Sequence, residues 1–360
     1  MSAEVQVYRD GGTGRIVLDR PRALNSLTHG MVTAVREALD GWAADDTVRA
    51  VVLTGAGERG LCAGADIRAI HDDAKAGGAG SRAFFRDEYR LNALIARYPK
   101  PYVAVMDGIT MGGGVGLSAH GAVRIVTERS TVAMPETRIG LVPDVGGSRL
   151  LASAPGELGT HLGLTSASMG PGDALLCGFA DHFVPSEHVP ALLAELAGLT
   201  ERSGLTERAG LTDPRDLTGA VAAHAEPAPP AALAAQREWI DACYAADTVE
   251  EIVERLFGTG VPEAKEAAEQ LLANSPTAVK VTLAALRRAR TLPSLEAVLD
   301  QEYRISCAAL AGHDLVEGIR AQVVDKDRDP HWSPADLSAV TDAEVARHFA
   351  PREDDELGLA

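Results

Sequence analysis

"MPETRIGLVPDVGGSRL", residues 134–150, sets two carboxylates, Glu136 and Asp144, eight positions apart in a stretch rich in apolar residues, proline and glycine. An ionised carboxylate is costly to bury unless it is paired, hydrogen-bonded or used. Two bland readings stand beside a functional one. Asp144 can be the N-cap of a helix beginning near Val145, and Glu136 can cap a turn.

Upstream of this stretch the chain alternates short strands with helices. "VQVYRD" and "RIVLDR" flank the glycine-rich turn "GGTG" and read as a hairpin. In "SLTHGMVTAVREALDGWAAD", Met31, Val35, Leu39 and Trp42 recur at helical spacing behind Thr28, a suitable N-cap. "VRAVVLTG" reads as a buried strand, and "PYVAVMDG", "VRIVTE", "TVAMPE" and "DHFVP" as further strands. "MGGGVGLSAHGA" and "GGSRLLASA" read as turns entering helices. The alternation predicts an α/β core over residues 1–190. Residues 191–235 are rich in Ala, Leu, Gly and Pro and read as a connecting segment, with "AEPAPPAALA" as a hinge. Helical periodicity governs 236–350, and 351–360 reads as a flexible tail.

Bulk composition narrows the function classes. Apolar residues make up 46% and charged residues 24%, as in soluble globular proteins. Asp plus Glu number 51 against 34 Lys plus Arg, a net charge of −17. That balance argues against nucleic acid or an anionic membrane as partner, since both bind through basic patches. Cys62, Cys177, Cys243 and Cys307 are far apart and form no CxxC or metal-spaced cluster. They read as reduced thiols and, without a signal-peptide pattern at the N-terminus, predict a cytoplasmic protein with no metal site.

Two further stretches invite a ligand. "LCAGADI" (61–67) uses small residues that let a ligand approach the backbone; a tight strand-to-helix turn explains them equally. "GITMGGGVGLSAHG" (108–121) puts three glycines before a helix, whose first N–H groups carry partial positive charge suited to an oxyanion. Close packing of helix on sheet also uses glycine, and the GK[ST] ending of a phosphate loop is absent. Glu88, in "FFRDEYRLN", reads by default as part of a solvated helix face. His120 and His161 show no evident partners. No GxSxG marks a serine hydrolase, and nothing near Cys62 identifies a base for it.

Taken together, "LDRPRALNSL", "LCAGADI", "GITMGGGVGL", "MPETRIGLVPDVGG" and "DHFV" have the order and spacing of the enoyl-CoA hydratase/isomerase (crotonase) superfamily, which the chain resembles from about residue 5 to 190 and on into the helical C-terminal part. "FFRDEYRLN" and the late "KDRDPHWSPADL" resemble its thioester-hydrolase branch. The resemblance implies a spiral of ββα turns followed by a helical region. It implies an acyl-CoA substrate and no cofactor, CoA being part of the substrate. Relatives often form trimers or pairs of trimers, which implies a homo-oligomer.

Carried over residue by residue, the amides of Ala65 and Gly113 would grip the thioester oxygen. CoA would run along Ala23, Ala63, Asp66 and Ile67, with Arg20, Arg22 or Lys326 at its phosphates. Glu136 and Asp144 would be catalytic, Glu136 as general base or as nucleophile. Glu88, Gly113, Glu136 and Asp144 would bind the acyl group, with Asp144 and Glu88 holding its 3-hydroxyl or helping to manage protons. One departure is informative. Hydratases of the superfamily place a second glutamate where this chain has Gly116. The expected reaction is therefore hydrolysis of a short 3-hydroxyacyl-CoA, 3-hydroxyisobutyryl-CoA foremost, in valine breakdown. A hydratase or isomerase of the same superfamily is the alternative, and a non-catalytic CoA- or RNA-binding relative is a further rival.

Overall fold

Strand Ala50–Gly55 is apolar on both faces and is covered on both. The computed structural model, which describes residues 4–202, 214–352 and 355–360, sets it inside a six-stranded sheet. The order across that sheet is Val5–Asp10, Thr13–Leu18, Ala50–Gly55, Tyr102–Met106, Val123–Val126 and His182–Phe183. The first pair is the antiparallel hairpin expected around "GGTG"; every later pairing is parallel. Parallel strands need covered faces, hence their near-continuous apolar runs. Ala50, Val52, Val103, Val105, Val123 and Ile125 share one face with Leu192, Leu196, Leu217 and Val221.

Three successive passes of the chain lay a strand in this sheet, then one in a smaller sheet, and then enter a helix or helical turn. The passes run Ala50–Gly55, Gly60–Cys62 and Ile67–Lys75; Tyr102–Met106, Ile109–Met111 and Gly113–Ser118; Val123–Val126, Thr131–Ala133 and the 3-10 turn Glu136–Ile139. The repeated step is the ββα unit expected from the resemblance.

The chain divides into two compact units, and the cut differs from the linear reading. Unit 1 comprises Met1–Ala65, Leu91–Val132 and Met169–Ala231; unit 2 comprises Asp66–Arg90, Ala133–Ser168 and Ala232–Ala360. The segments that carry Glu88, Glu136 and Asp144 thus belong with the C-terminal helices, a grouping that no run of sequence displays.

Within unit 1 the supposed connecting segment 191–235 is largely helical, as Val189–Arg202 and Pro214–His224. Leu192 and Leu196, and Leu217 and Val221, recur four residues apart and cover the sheet, so composition concealed a packed stripe. Residues 203–213 lie outside the described residues. The unit boundary at Ala231 falls within the proline-rich hinge.

Unit 2 is built on helices Pro276–Ala289 and Leu295–Leu310. Ser275 and Ser294 cap them, accepting from the amides of Ala278 and Ala297. Val142, Val281, Ala285 and Ile305 form a core cluster there, joined by Val345 and Phe349.

Residues 355–360, expected as part of a flexible tail, are docked. Leu357 is buried, Arg304 Nε donates to both Glu356 oxygens at 2.9 Å, and Asp300 accepts from the amides of Leu359 and Ala360 at 3.0 Å. A single leucine among acids gave sequence reading too little pattern to show this docking. Leu357→Ala is expected to cost about 2 kcal/mol of stability through lost burial and a residual cavity. Denaturant unfolding of the variant checks it.

Candidate active site

Unit 2 gathers four carboxylates. Glu88 lies in helix Ala79–Ala96, Glu136 opens the 3-10 turn Glu136–Ile139, Asp144 sits in the loop that follows, and Glu302 lies in helix Leu295–Leu310. All four are buried. Charged groups are almost never buried without partners, so the bonds they make are decisive.

Asp144 Oδ2 accepts from the Tyr89 hydroxyl at 2.7 Å, and the Tyr89 oxygen lies 2.7 Å from Ser306 Oγ. With the tyrosine proton committed to an ionised Asp144, Ser306 is the donor to Tyr89. Glu302 Oε2 accepts from the Gly146 amide at 2.7 Å. Its Oε1 accepts from the Ser148 amide at 3.0 Å and the Ser148 hydroxyl at 2.5 Å. Glu136 Oε2 and Glu88 Oε1 are different: both are buried and accept no hydrogen bond from the described residues. Those two oxygens are buried acceptors of the cluster without a partner among the described residues.

The bland readings of Asp144 and Glu88 fail. Asp144 is not a helix cap, because helix Gly147–Ser153 starts later, at N-cap Gly146, and has no side-chain cap. Glu88 faces the interior, where the apolar half of "FFRDEYRLN" leads it. His161 is structural: its Nδ1 lies 3.0 Å from the Tyr244 hydroxyl, and burial pulls its pKa down to about 4.

Crowding sets the electrostatics. Burial, and then the charge of Asp144, raise Glu88 well above the usual carboxylate range. Burial raises Glu136 likewise, with Asp144, Glu302 and Glu88 adding to it. Asp144 is pushed up to about 6 by burial, against the downward pull of the Tyr89 hydroxyl. Glu302 is pushed up to about 8, again chiefly by burial.

A carboxyl whose pKa is raised on folding contributes its full stability below the unfolded value and loses it as pH climbs through the folded value. For Asp144 the window runs from about 4 to about 6. Asp144→Asn, whose amide oxygen can still accept from Tyr89, is therefore expected to be more stable than the parent at pH 8. The margin is on the order of 3 kcal/mol, and it should shrink as pH falls below 6. Thermal melts of both proteins at pH 8 and pH 5 measure it.

Unit 1 carries the two candidate amides. Leu27 pairs in parallel with Ala65, its amide donating to the Gly64 carbonyl at 2.8 Å, which turns the Ala65 N–H away from Leu27. Gly113 is the first residue of helix Gly113–Ser118, where N–H groups have no acceptor inside the helix. The two stretches touch. A Cβ on Gly64 would lie 3.7 Å from the Gly113 nitrogen, and one on Gly114 would lie 2.4 Å from the Cys62 carbonyl oxygen. Gly64 also has φ +96°, a conformation that favours glycine. The small residues of "LCAGADI" and "GGG" are thus explained by one close approach of backbone to backbone.

Of the residues named for CoA, Ala23 ends the exposed turn Pro21–Ala23. Ala63 is half-buried and donates to the Leu24 carbonyl at 3.0 Å. In unit 2, the half-buried Asp66 and Ile67 start helix Ile67–Lys75. Arg20 is committed to Glu4 and the Ser26 carbonyl, whereas Arg22 and Lys326 are exposed.

Residues 13–349 match the family model described as enoyl-CoA hydratase/isomerase. The chain belongs to that family. The crotonase superfamily's α/β fold is accordingly its fold. A solved carnitinyl-CoA dehydratase from Mycobacterium thermoresistibile is 52% identical, with a TM-score of 0.92 over 99% of both chains. An enoyl-CoA hydratase from Rhodobacter sphaeroides 2.4.1 is 44% identical, with a TM-score of 0.89 over 99% of both. Among curated relatives, the mitochondrial 3-hydroxyisobutyryl-CoA hydrolase of Danio rerio is 42% identical over 99% of this chain and 92% of its own. That of Homo sapiens is 40% identical over 96% and 88%.

These family members correct the expectation of a cytoplasmic protein, since the hydrolases are named as mitochondrial. Reduced, separated cysteines exclude only an oxidising compartment.

Sequence reading missed Glu302, Tyr89, Ser148 and Ser306. The available signal was "LDQEYRIS", which keeps an acid inside an apolar helical stripe.

Proposed function

We propose that the chain hydrolyses the thioester of 3-hydroxyisobutyryl-CoA, and of other short 3-hydroxyacyl-CoAs, to CoA and the free hydroxy acid, as a step of valine breakdown. The curated relatives named for that reaction support the reading. So does one observation about the acids: Asp144 joins Glu136 in a single buried cluster, while the position where hydratases keep their second glutamate is Gly116.

Each group has a role that fits its chemistry. The amides of Ala65 and Gly113 are assigned to the thioester oxygen, where charge develops as the carbonyl becomes tetrahedral. Glu136 is assigned to the carbonyl carbon's reaction, either taking a proton from the attacking water or attacking directly to form an anhydride that water cleaves. Its raised pKa suits a base working near neutrality. Asp144 and Glu88 are assigned to the 3-hydroxyl, a donor that satisfies a buried acceptor. An acyl group without that hydroxyl leaves the acceptor unpaired, a penalty of about 1–3 kcal/mol. Short 3-hydroxyacyl groups are therefore preferred. CoA enters as part of the substrate and is held along Ala23, Ala63, Asp66 and Ile67. The reaction needs no cofactor, and assembly into a homo-oligomer of the crotonase kind is part of the same proposal.

The second reading, addition or removal of water at a double bond, is favoured by the descriptions of the two solved relatives. Parallel assays with 3-hydroxyisobutyryl-CoA, 3-hydroxypropionyl-CoA and crotonyl-CoA separate the two. Free thiol from the hydroxyacyl substrates is the expected result. Loss of the enoyl absorbance of crotonyl-CoA with no thiol from any substrate would establish the hydratase instead.

A further inference from the structure

The residue after Asp144 is conformationally expensive. Val145 has φ +51° and Gly146 φ +81°, so the backbone is left-handed at two successive positions, the first of them β-branched. Such a conformation persists only where the surroundings over-determine it. Among those surroundings is one carboxylate. Glu302 receives the Gly146 amide, the Ser148 amide and the Ser148 hydroxyl, three bonds from a loop more than 150 residues away in sequence.

The same helix also reaches the Asp144 side chain. Ser306 lies four residues after Glu302, on the same face of helix Leu295–Leu310, and bonds the Tyr89 hydroxyl that donates to Asp144. Backbone and carboxylate of Asp144 are thus both referred to one helix. We propose that Glu302 is a positioning residue: by gripping the Gly146 and Ser148 amides it fixes where the Asp144 carboxylate stands, and turnover depends on that grip. The inference rests on the hydrolase reading for what Asp144 does, but not for the grip itself.

Glu302→Gln tests it with the shape of the side chain kept. A carboxamide has one acceptor oxygen, so its NH2 must face either the Gly146 or the Ser148 amide, donor against donor. Two measurements are made on the full chain. Hydrogen exchange of the Gly146 and Ser148 amides is expected to quicken about tenfold or more, with the rest of the chain unchanged. For thiol release, kcat/KM for 3-hydroxyisobutyryl-CoA is expected to fall about tenfold or more, and its advantage over isobutyryl-CoA, which lacks the 3-hydroxyl, to shrink with it. Ser148→Ala, which removes one donor of the three, is expected to give a smaller fall in kcat/KM in the same direction and serves if the first variant does not fold.

Unchanged exchange at both amides would overturn the grip. Faster exchange with unchanged kcat/KM for 3-hydroxyisobutyryl-CoA would overturn its role in turnover and leave Glu302 a structural cap. Absence of thiol release by the parent protein would overturn the hydrolase reading instead, and exchange alone would then decide whether Glu302 holds the loop.

Discussion

Glu136→Gln is expected to lower kcat for thiol release about 10³-fold or more, the loss of about 4 kcal/mol of transition-state stabilisation. The protein should stay folded. Glutamine keeps the side chain's volume and removes a charge that burial and Asp144 make costly, so its melting temperature at pH 8 should match or exceed the parent's. The two readouts oppose one another, which separates a working acid from a structural one. A buried carboxylate held for stability would be missed in the melt and hardly noticed in turnover. Glu136 has the opposite profile: one oxygen accepts no bond from the described residues, and the neighbouring charges raise its energy. Steady-state kinetics and a thermal melt on the same preparation decide the matter, and near-normal thiol release from the folded variant would refute the assignment.

Gly114→Ala carries the second large effect, and it acts through backbone rather than charge. The added methyl would sit 2.4 Å from the Cys62 carbonyl oxygen and 2.9 Å from Cys62 Cβ, far inside contact distance. The start of helix Gly113–Ser118 and the Cys62–Ala65 stretch must then move apart. The Ala65 and Gly113 amides ride on those two segments, so their spacing changes even though neither is altered. Losing the alignment of one such donor costs about 3 kcal/mol of transition-state stabilisation, roughly a hundredfold or more in kcat. The expected result is that fall in kcat with Glu136 chemistry otherwise intact, read as an unchanged pH profile of the residual activity. A variant that folds and turns over within about twofold of the parent would show that the close approach of the two stretches does not set the amides.

The fold was legible where physics leaves a strong periodic mark. Parallel strands buried on both faces must be continuously apolar, and "VRAVVLTG" and "PYVAVMDG" are. The hairpin was legible from "GGTG". The glycines at 112–114 were legible as suited to close packing, but that their partner is the Cys62–Ala65 stretch was not. Glu136 and Asp144 stood out because an acid in an apolar run is anomalous.

What sequence could not supply was which segments share an interior. Glu88 read by default as solvated because half of its helix is charged, and only the family resemblance placed it at the acyl group; Glu302 passed unnoticed within a good amphipathic helix. Asp144 looked like a helix cap because the helix start was placed two residues early. The docked residues 355–360 are held by ion pairs and one buried leucine, too sparse a pattern to read. Compartment was misjudged because reduced thiols report redox state and not address.

A single turnover in H2¹⁸O tests the central claim, that the bond between acyl carbon and sulfur is cleaved with water as the final oxygen donor. With 3-hydroxyisobutyryl-CoA as substrate, mass spectrometry should find free CoA and one ¹⁸O in the carboxyl group of the released hydroxy acid or, if the route runs through an anhydride that water opens at the Glu136 carbonyl, in Glu136. Label entering the 3-hydroxyl of an intact thioester, with no free CoA formed, would contradict the account and assign the chain to reversible hydration.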